Sequence, residues 1–348
     1  MMYYIFTLKF LTPVHFGDTA NGGGLDKFSI QCSADTLFAA LCNEAANKGS
    51  DAVETLVKKT AEGKIVFSSL FPYWRTADDD LYFYLPKPLL KLEQEEQQSA
   101  KSFEEIKQLA TKLKKQKKST YIRASQINSL LKYGGSNGQF AVPEFAAPLV
   151  AGRVALREEK PLPYYVGSYV FSKHSGLYFI LGVEHEEEFA LIKDLLLSLG
   201  YSGIGGKRSS GYGKFELADD ELELFDDGGV YDDDTAIALM LYNEKSKYQM
   251  CLAPVCPCVD EIAVVKQGSY KLIKRSGFIA SSAAKDNIKR NSIYMLQEGS
   301  CFSERLRGQM LQQTVDGLAH DIYRDGIGMF VGCLLYTSPS PRDLSTSR

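Results

Sequence analysis

The chain of 348 residues holds no uninterrupted apolar run of the roughly 18 residues that a membrane helix requires, so no transmembrane segment is expected. Its start, MMYYIFTLKF, has no cationic leader segment and alternates like a strand, so no secretory signal is expected. Histidine is scarce: His15, His174, His185 and His320 are the only four, and no G-x-S-x-G element accompanies them. A serine or cysteine triad therefore has little to build on. Seven cysteines, an odd number scattered over a long chain, fit a reducing cytoplasm without a disulfide framework. Cys251, Cys256 and Cys258 cluster, but they lack a second well-spaced pair and a nearby histidine, so a zinc finger is not expected. No cofactor or metal site is predicted. The formal charge of -3 announces no nucleic acid, although a local basic surface suffices for phosphate contact.

What is present is glycine concentrated in one place. Residues 203–213 read GIGGKRSSGYG, five glycines among eleven residues with two adjacent cations. Bare backbone at Gly205, Gly206 and Gly211 allows close approach to phosphate, and Lys207, Arg208, Ser209 and Ser210 supply charge and donors. A P-loop fails, because Arg208 follows Gly206-Lys207 where Ser or Thr is required. A dinucleotide fingerprint fails because Arg208 stands where its last glycine would fall. The setting fails as well: a helix precedes this loop and a strand follows, the reverse of nucleotide-binding loops.

Around the loop the period alternates between strand and helix. Tyr4, Phe6, Leu8 and Phe10 share one face of a first strand. Ser33 is a candidate N-cap, with Asp35 as a first-turn acid of a helix reaching about Asn47. Residues 164–171 and 177–183 read as a hairpin. Residues 186–199 form a helix stopped by Gly200, and 212–217 a last strand. Strand, helix, two strands, helix, strand is the ferredoxin-like order. The expected fold is α+β, with two ferredoxin-like (RRM-like) units. The first spans 1–218 and contains a large insertion at about 64–162, within which 93–118 reads as a charged amphipathic helix. Residues 219–234 carry nine acids and no cation and read as a solvated linker. Residues 235–333 form a degenerate second unit, with strands expected at 236–242, 270–275, 277–280, 292–296 and 328–331. The Ser-, Thr- and Pro-rich end, 334–348, reads as a disordered tail foreign to the fold.

His15 sits in VHFG (14–17), directly after the first strand, where a ferredoxin-like sheet brings it toward the glycine loop. It is either a structural loop histidine or an RNA group that donates to phosphate, stacks on a base, or acts as general acid–base. Phe16 and Tyr212 are candidate stacking rings beside it.

The glycine loop followed by Lys214-Phe215 resembles the signature of RAMP proteins in CRISPR effector complexes. An ordered set narrows this to the family of subunit four of the type III-A Csm complex. The set is VHFG, SADTLFAA (33–40), FPY (71–73), YLPKP (84–88), PYYV (163–166), GLYFI (176–180), RSGFI (275–279) and GSCF (299–302). The resemblance covers about residues 3–332. It implies a non-catalytic subunit that binds the 5′ handle of the CRISPR RNA at the base of the complex. It also implies contacts with the large polymerase-like signature subunit and with the neighbouring backbone RAMP subunit. Arg275 is a further candidate RNA contact in the second half. The alternative is a metal-independent RAMP endoribonuclease that processes repeat RNA with His15 as general acid–base.

Overall fold

A computed structural model describes residues 1–17, 24–90, 120–133, 142–157, 160–218, 221–279, 281, 288–315, 318 and 320–333. The helix expected at 93–118 and the tail at 334–348 lie outside them. The architecture is mixed α+β with antiparallel sheets.

The main sheet has eight strands. β1 (Met2–Phe10) lies one strand in from an edge, and after it come two short strands outside the sheet, β2 (Phe16–Gly17) and β3 (Phe28–Ser29). The other members are β4 (Ile65–Phe67), β5 (Phe71–Arg75), β6 (Leu81–Pro86), β7 (Tyr121–Arg123), β10 (Ser175–Val183), β11 (Phe215–Leu217) and β12 (Leu222–Leu224). Their order is β11-β1-β10-β5-β6-β7, with β12 also on β1 and β4 also on β10. β8 (Ala146–Arg157) and β9 (Lys160–Phe171) form a separate long ribbon.

Two expectations change here. The segment 164–171 does not pair with 177–183: β9 takes β8 along its whole length, while β10 takes β1, β4 and β5. Alternation along 164–171 specifies a two-faced strand but not its neighbour. The tract read as an insertion also extends the sheet, since β5, β6 and β7 continue it outward from β10.

β1 is buried on both faces. Tyr4, Phe6 and Leu8 join a core with Leu37, Phe38 and Leu41 of α1 (Ala34–Lys48). Leu195, Leu196 and Leu199 of the helix Glu186–Ser202 belong to the same layer. Ile5 faces the other way, into a second core that includes Met250, Leu252 and Val331 from the second half. Each such fully buried aliphatic or aromatic side chain contributes about 1.5–3 kcal/mol. The two halves therefore share a core across the sheet.

The remaining helices are α2 (Ser50–Ala61), α3 (Ile127–Tyr133), α4 (the Glu186–Ser202 helix), α5 (Asp232–Tyr242) and α6 (Ile262–Gln267). None of the described helices is long and apolar enough to cross a membrane. α4 runs through Gly200 and ends at Gly203, whose φ of 82° suits only glycine. Gly200 is there for contact, not termination: a Cβ on it would lie 2.6 Å from the Phe215 carbonyl oxygen.

The acidic segment 219–234 is not simply solvated. It contributes β12 to the main sheet and the first turn of α5. Asp233 is fully buried and accepts from the Phe83 and Ser125 amides and from Arg123 Nε, each at 3.0 Å. Asp234 accepts from the amides of Val230, Tyr231 and Thr235. The strand expected at 236–242 is α5 itself. Its run of Ala, Ile, Leu and Met has no strand period, and three acids at its start favour a helix N-terminus.

Beyond α5 lie β13 (Gln249–Cys251), β14 (Leu272–Arg275), β15 (Ile293–Leu296), β16 (Cys301–Phe302), β17 (Leu311–Gln313), β18 (Ile322–Arg324) and β19 (Phe330–Gly332). They form one three-stranded sheet, β16-β13-β19, and two ribbons, β14-β15 and β17-β18.

Candidate nucleic-acid interface

The glycine loop leaves α4 at Gly203, crosses the end of β1 and enters β11. Its backbone is fastened at three points: Ile204 N–H donates to Gly213 O at 2.9 Å, Gly206 N–H to His15 O at 2.8 Å, and Gly213 N–H to Pro13 O at 2.8 Å. At Gly205, φ is 91° and a Cβ would meet His15 O at 2.7 Å and the Phe16 ring at 3.0 Å. Lys207 is the exception in the loop. It adopts the left-handed region with φ 62° and ψ 23°, which costs a non-glycine residue about 1 kcal/mol. A 3₁₀ turn, Arg208–Ser210, follows it.

His15 is buried, and its Nδ1 lies 2.6 Å from the Gly167 carbonyl oxygen. A carbonyl only accepts, so Nδ1 carries the hydrogen and the neutral ring keeps a lone pair on Nε2. Gly206 makes room for the ring: a Cβ there would stand 2.7 Å from His15 Cδ2.

His15, Phe16, Gly205, Gly206, Arg208 and Arg275 come together around one cleft of about 680 Å³ between the first and second halves. Lys207, Ser209, Ser210, Gly211 and Tyr212 are not part of its lining. Lys207 Nζ instead lies 5.0 Å from the centroid of the Tyr164 ring on β9, and Ser209 and Ser210 are exposed on the loop crest. Phe16 and Tyr212 are both buried, at 4% and 7% exposure, so neither offers an open ring face for a base. Phe16 packs into the core under the loop, and the Tyr212 hydroxyl is hydrogen-bonded to Arg153.

The second half contributes residues the sequence pattern did not single out. Lys274, Lys289, Arg290 and Arg324 join Arg208 and Arg275 in the lining, which among the described residues sets six cations against one acid, Asp35. Asp35 is not merely a helix-dipole acid. It takes a two-pronged bond from Arg275, Nη2 at 2.6 Å and Nε at 3.1 Å, and a third contact from Arg324 Nη1 at 3.3 Å. Burial pushes the Asp35 carboxyl up, but the Arg275 guanidinium, helped by Arg324, more than reverses this and holds it below the usual carboxylate range. Arg275 also donates to Thr36 Oγ1 at 2.9 Å, so much of its guanidinium is committed within the protein. The signal for these four cations was tertiary: they lie on two separate ribbons and gather only when those fold against α1.

The family described as CRISPR Csm4 C-terminal domain matches residues 244–333. The fold resembles a chain of a Csm3–Csm4 subcomplex from a type III-A CRISPR-Cas interference complex, with TM-score 0.61 and 16% identity, covering 95% of this chain and 99% of that one. It also resembles a chain of a Csm1–Csm4 cassette in complex with pppApA, with TM-score 0.57 and 22% identity over 95% and 98%. At these identities the likeness defines the class of fold. Sequence goes further. The CRISPR system Cms protein Csm4 of Mycobacterium tuberculosis is 30% identical over 315 residues, 89% of this chain and 91% of its own. The Streptococcus thermophilus relative of the same name is 28% identical over 312 residues. The chain belongs to the Csm4 family of CRISPR effector subunits.

Proposed function

We propose that this chain binds the 5′ handle of the CRISPR RNA in the cleft between its two halves and does not cut it. The observation that carries this reading is the lining: among the described residues, six cations and one acid beside a loop whose bare backbone permits close approach to phosphate. Phosphate contacts of this kind fix register and orientation. The RNA path runs from the cleft over the crest, where Lys207, Arg208, Ser209 and Ser210 hold phosphates and Gly211 leaves open space, toward the β8-β9 ribbon.

His15 acts here as an RNA contact that accepts: with Nδ1–H given to the Gly167 carbonyl, its Nε2 lone pair takes a ribose hydroxyl or a base N–H. Its partner is a backbone carbonyl where a general base would favour an orienting carboxylate, which supports holding over cleavage. The first half is read as a ferredoxin-like unit. The strands β11, β1, β10 and β4/β5, with α1 and α4 on one face, supply its order. Relatives solved as a Csm1–Csm4 cassette and as a Csm3–Csm4 subcomplex support assembly with a large Csm1-type subunit and a Csm3-type backbone subunit.

The test is a Lys207→Ala/Arg208→Ala variant in the reconstituted complex. It should lose CRISPR RNA while the purified chain still unfolds cooperatively. Retention of RNA at the wild-type level would overturn the placement. Site-specific cleavage of repeat RNA by the pure chain, abolished by His15→Ala, would establish the endoribonuclease reading in its place.

A further inference from the structure

The cleft has an uncompensated wall. Three arginines of the second half converge on Asp35, which carries one negative charge. Arg275 and Arg324 take that charge directly. Arg290 is left over: it donates from Nη2 to the Tyr323 carbonyl, and its buried Nε meets no acceptor among the described residues. Burial, with Arg324 alongside, pushes its pKa down to about 10. A buried donor without an acceptor and a cluster with excess positive charge are both costly without an anion.

The same wall carries an open ring. Phe278 is 65% exposed although it lines the cleft, and it is the one exposed aromatic ring among the described lining residues, Phe16 being buried. Its position is set by backbone. Phe278 bridges Lys289 in an antiparallel pair, Ile279 N–H donates to Ile288 O at 2.8 Å, and Arg290 N–H to Gly277 O at 2.8 Å. This short ladder continues the β14-β15 ribbon and holds Phe278, Lys289 and Arg290 together on one wall. An isolated exposed phenylalanine needs no explanation, but one on a concave wall between cations has the composition of a single-stranded RNA platform, ring for base and cation for phosphate.

Resting on the RNA reading above, we propose that the second half holds one unstacked nucleotide of the bound strand, its base on the face of Phe278 and its adjoining phosphate on Arg290 and Lys289. RNA then closes the cleft by touching both halves, the glycine loop on one side and this wall on the other. The excess of cations favours a polyanion over a protein partner, since an apolar docking surface would not line a ring with unpaired arginine.

The test uses the full chain and synthetic CRISPR RNA carrying single abasic sites at successive handle positions. Phe278→Ala should weaken binding roughly 5- to 150-fold, the range of one base–aromatic stack. Phe278→Trp should retain affinity. One abasic position should weaken the wild type to a similar degree and cost Phe278→Ala nothing further. Lys289→Gln should lower the slope of log affinity against log salt by about 0.7, one single-strand phosphate. Several results overturn the proposal. One is unchanged RNA affinity of Phe278→Ala under conditions where Lys207→Ala/Arg208→Ala has lost RNA, which would leave the RNA reading standing. Another is equal loss at every abasic position without coupling. A third is retained RNA with loss of the large subunit, which would make Phe278 a protein contact. Failure of the wild type itself to bind the handle would remove both readings together.

Discussion

Asp35→Asn is the most informative single change in this protein, because one carboxylate joins the two halves of the chain. It sits in the first turn of α1, 3% exposed, while its partners Arg275 and Arg324 come from β14 and β18 and are themselves 13% and 6% exposed. Removing one partner from a buried ion pair costs about 3–5 kcal/mol, since the remaining charge has no water to return to. Asparagine retains the shape and one acceptor, so the lower end, about 3 kcal/mol, is expected. With a urea m-value of about 3 kcal/mol/M, the midpoint should fall by roughly 1 M. The folded carboxyl titrates below its unfolded value. Its contribution is therefore present above the ordinary carboxylate pKa and is lost as pH falls through the lower folded value, so wild type and variant should converge only in strong acid. Handle RNA should stabilise the variant more than the wild type, because a polyanion meets arginines that have lost their counter-charge. A midpoint shift below about 0.3 M at pH 7 would refute the reasoning and show the contact to be worth no more than a surface pair.

Three further outcomes are expected. Lys207→Gly should stabilise the free chain by up to about 1 kcal/mol by relieving the left-handed backbone, yet weaken RNA binding in filter or fluorescence titrations; a destabilised variant would contradict the strain argument. Burial raises the Asp325 carboxyl to about 7, so the folded state keeps a proton that the unfolded chain releases near 3.8. Stability from this group should therefore fall by roughly 4 kcal/mol as pH rises from 4 to 7 and then level off. Asp325→Asn, which still accepts from the Ile327 amide, should flatten that decline in urea midpoints measured at pH 5 and 8. Asp233→Ala removes the acceptor of two amides and Arg123 and should lower stability by 3 kcal/mol or more, about the cost of breaking a buried hydrogen-bonded ion pair. A loss under about 0.5 kcal/mol would restore the solvated-linker reading.

Much of the first half was legible from pattern. The alternation of Tyr4, Phe6 and Leu8, the helix over 186–199 and the helix after Ser33 all appear where the periods put them. The glycine loop was also recognisable, because glycines at left-handed positions between a helix and a strand are a local feature. One error misread a local pattern, and the others came where neighbours decide. The run 236–242 has no strand period, and its three leading acids made it a helix. Residues 164–171 kept their strand but took a different partner. Phe16 and Tyr212 were read as open rings, yet the loop they support covers them.

The sequence by itself determined the family, the glycine loop with its cations, and the amphipathic elements of the first core, because motif spacing, backbone permissiveness and hydrophobic period are local properties of the chain. Tertiary structure alone decided that part of the second half packs on the opposite face of the first sheet while its two ribbons reach α1. It also decided that Asp35 receives arginines from residues 240 and 289 positions away, and that Phe278 and Arg290 line the same cleft as Arg208. Charge pairing and burial between such distant segments depend on which surfaces the fold brings within a few ångströms, and no local pattern encodes that distance.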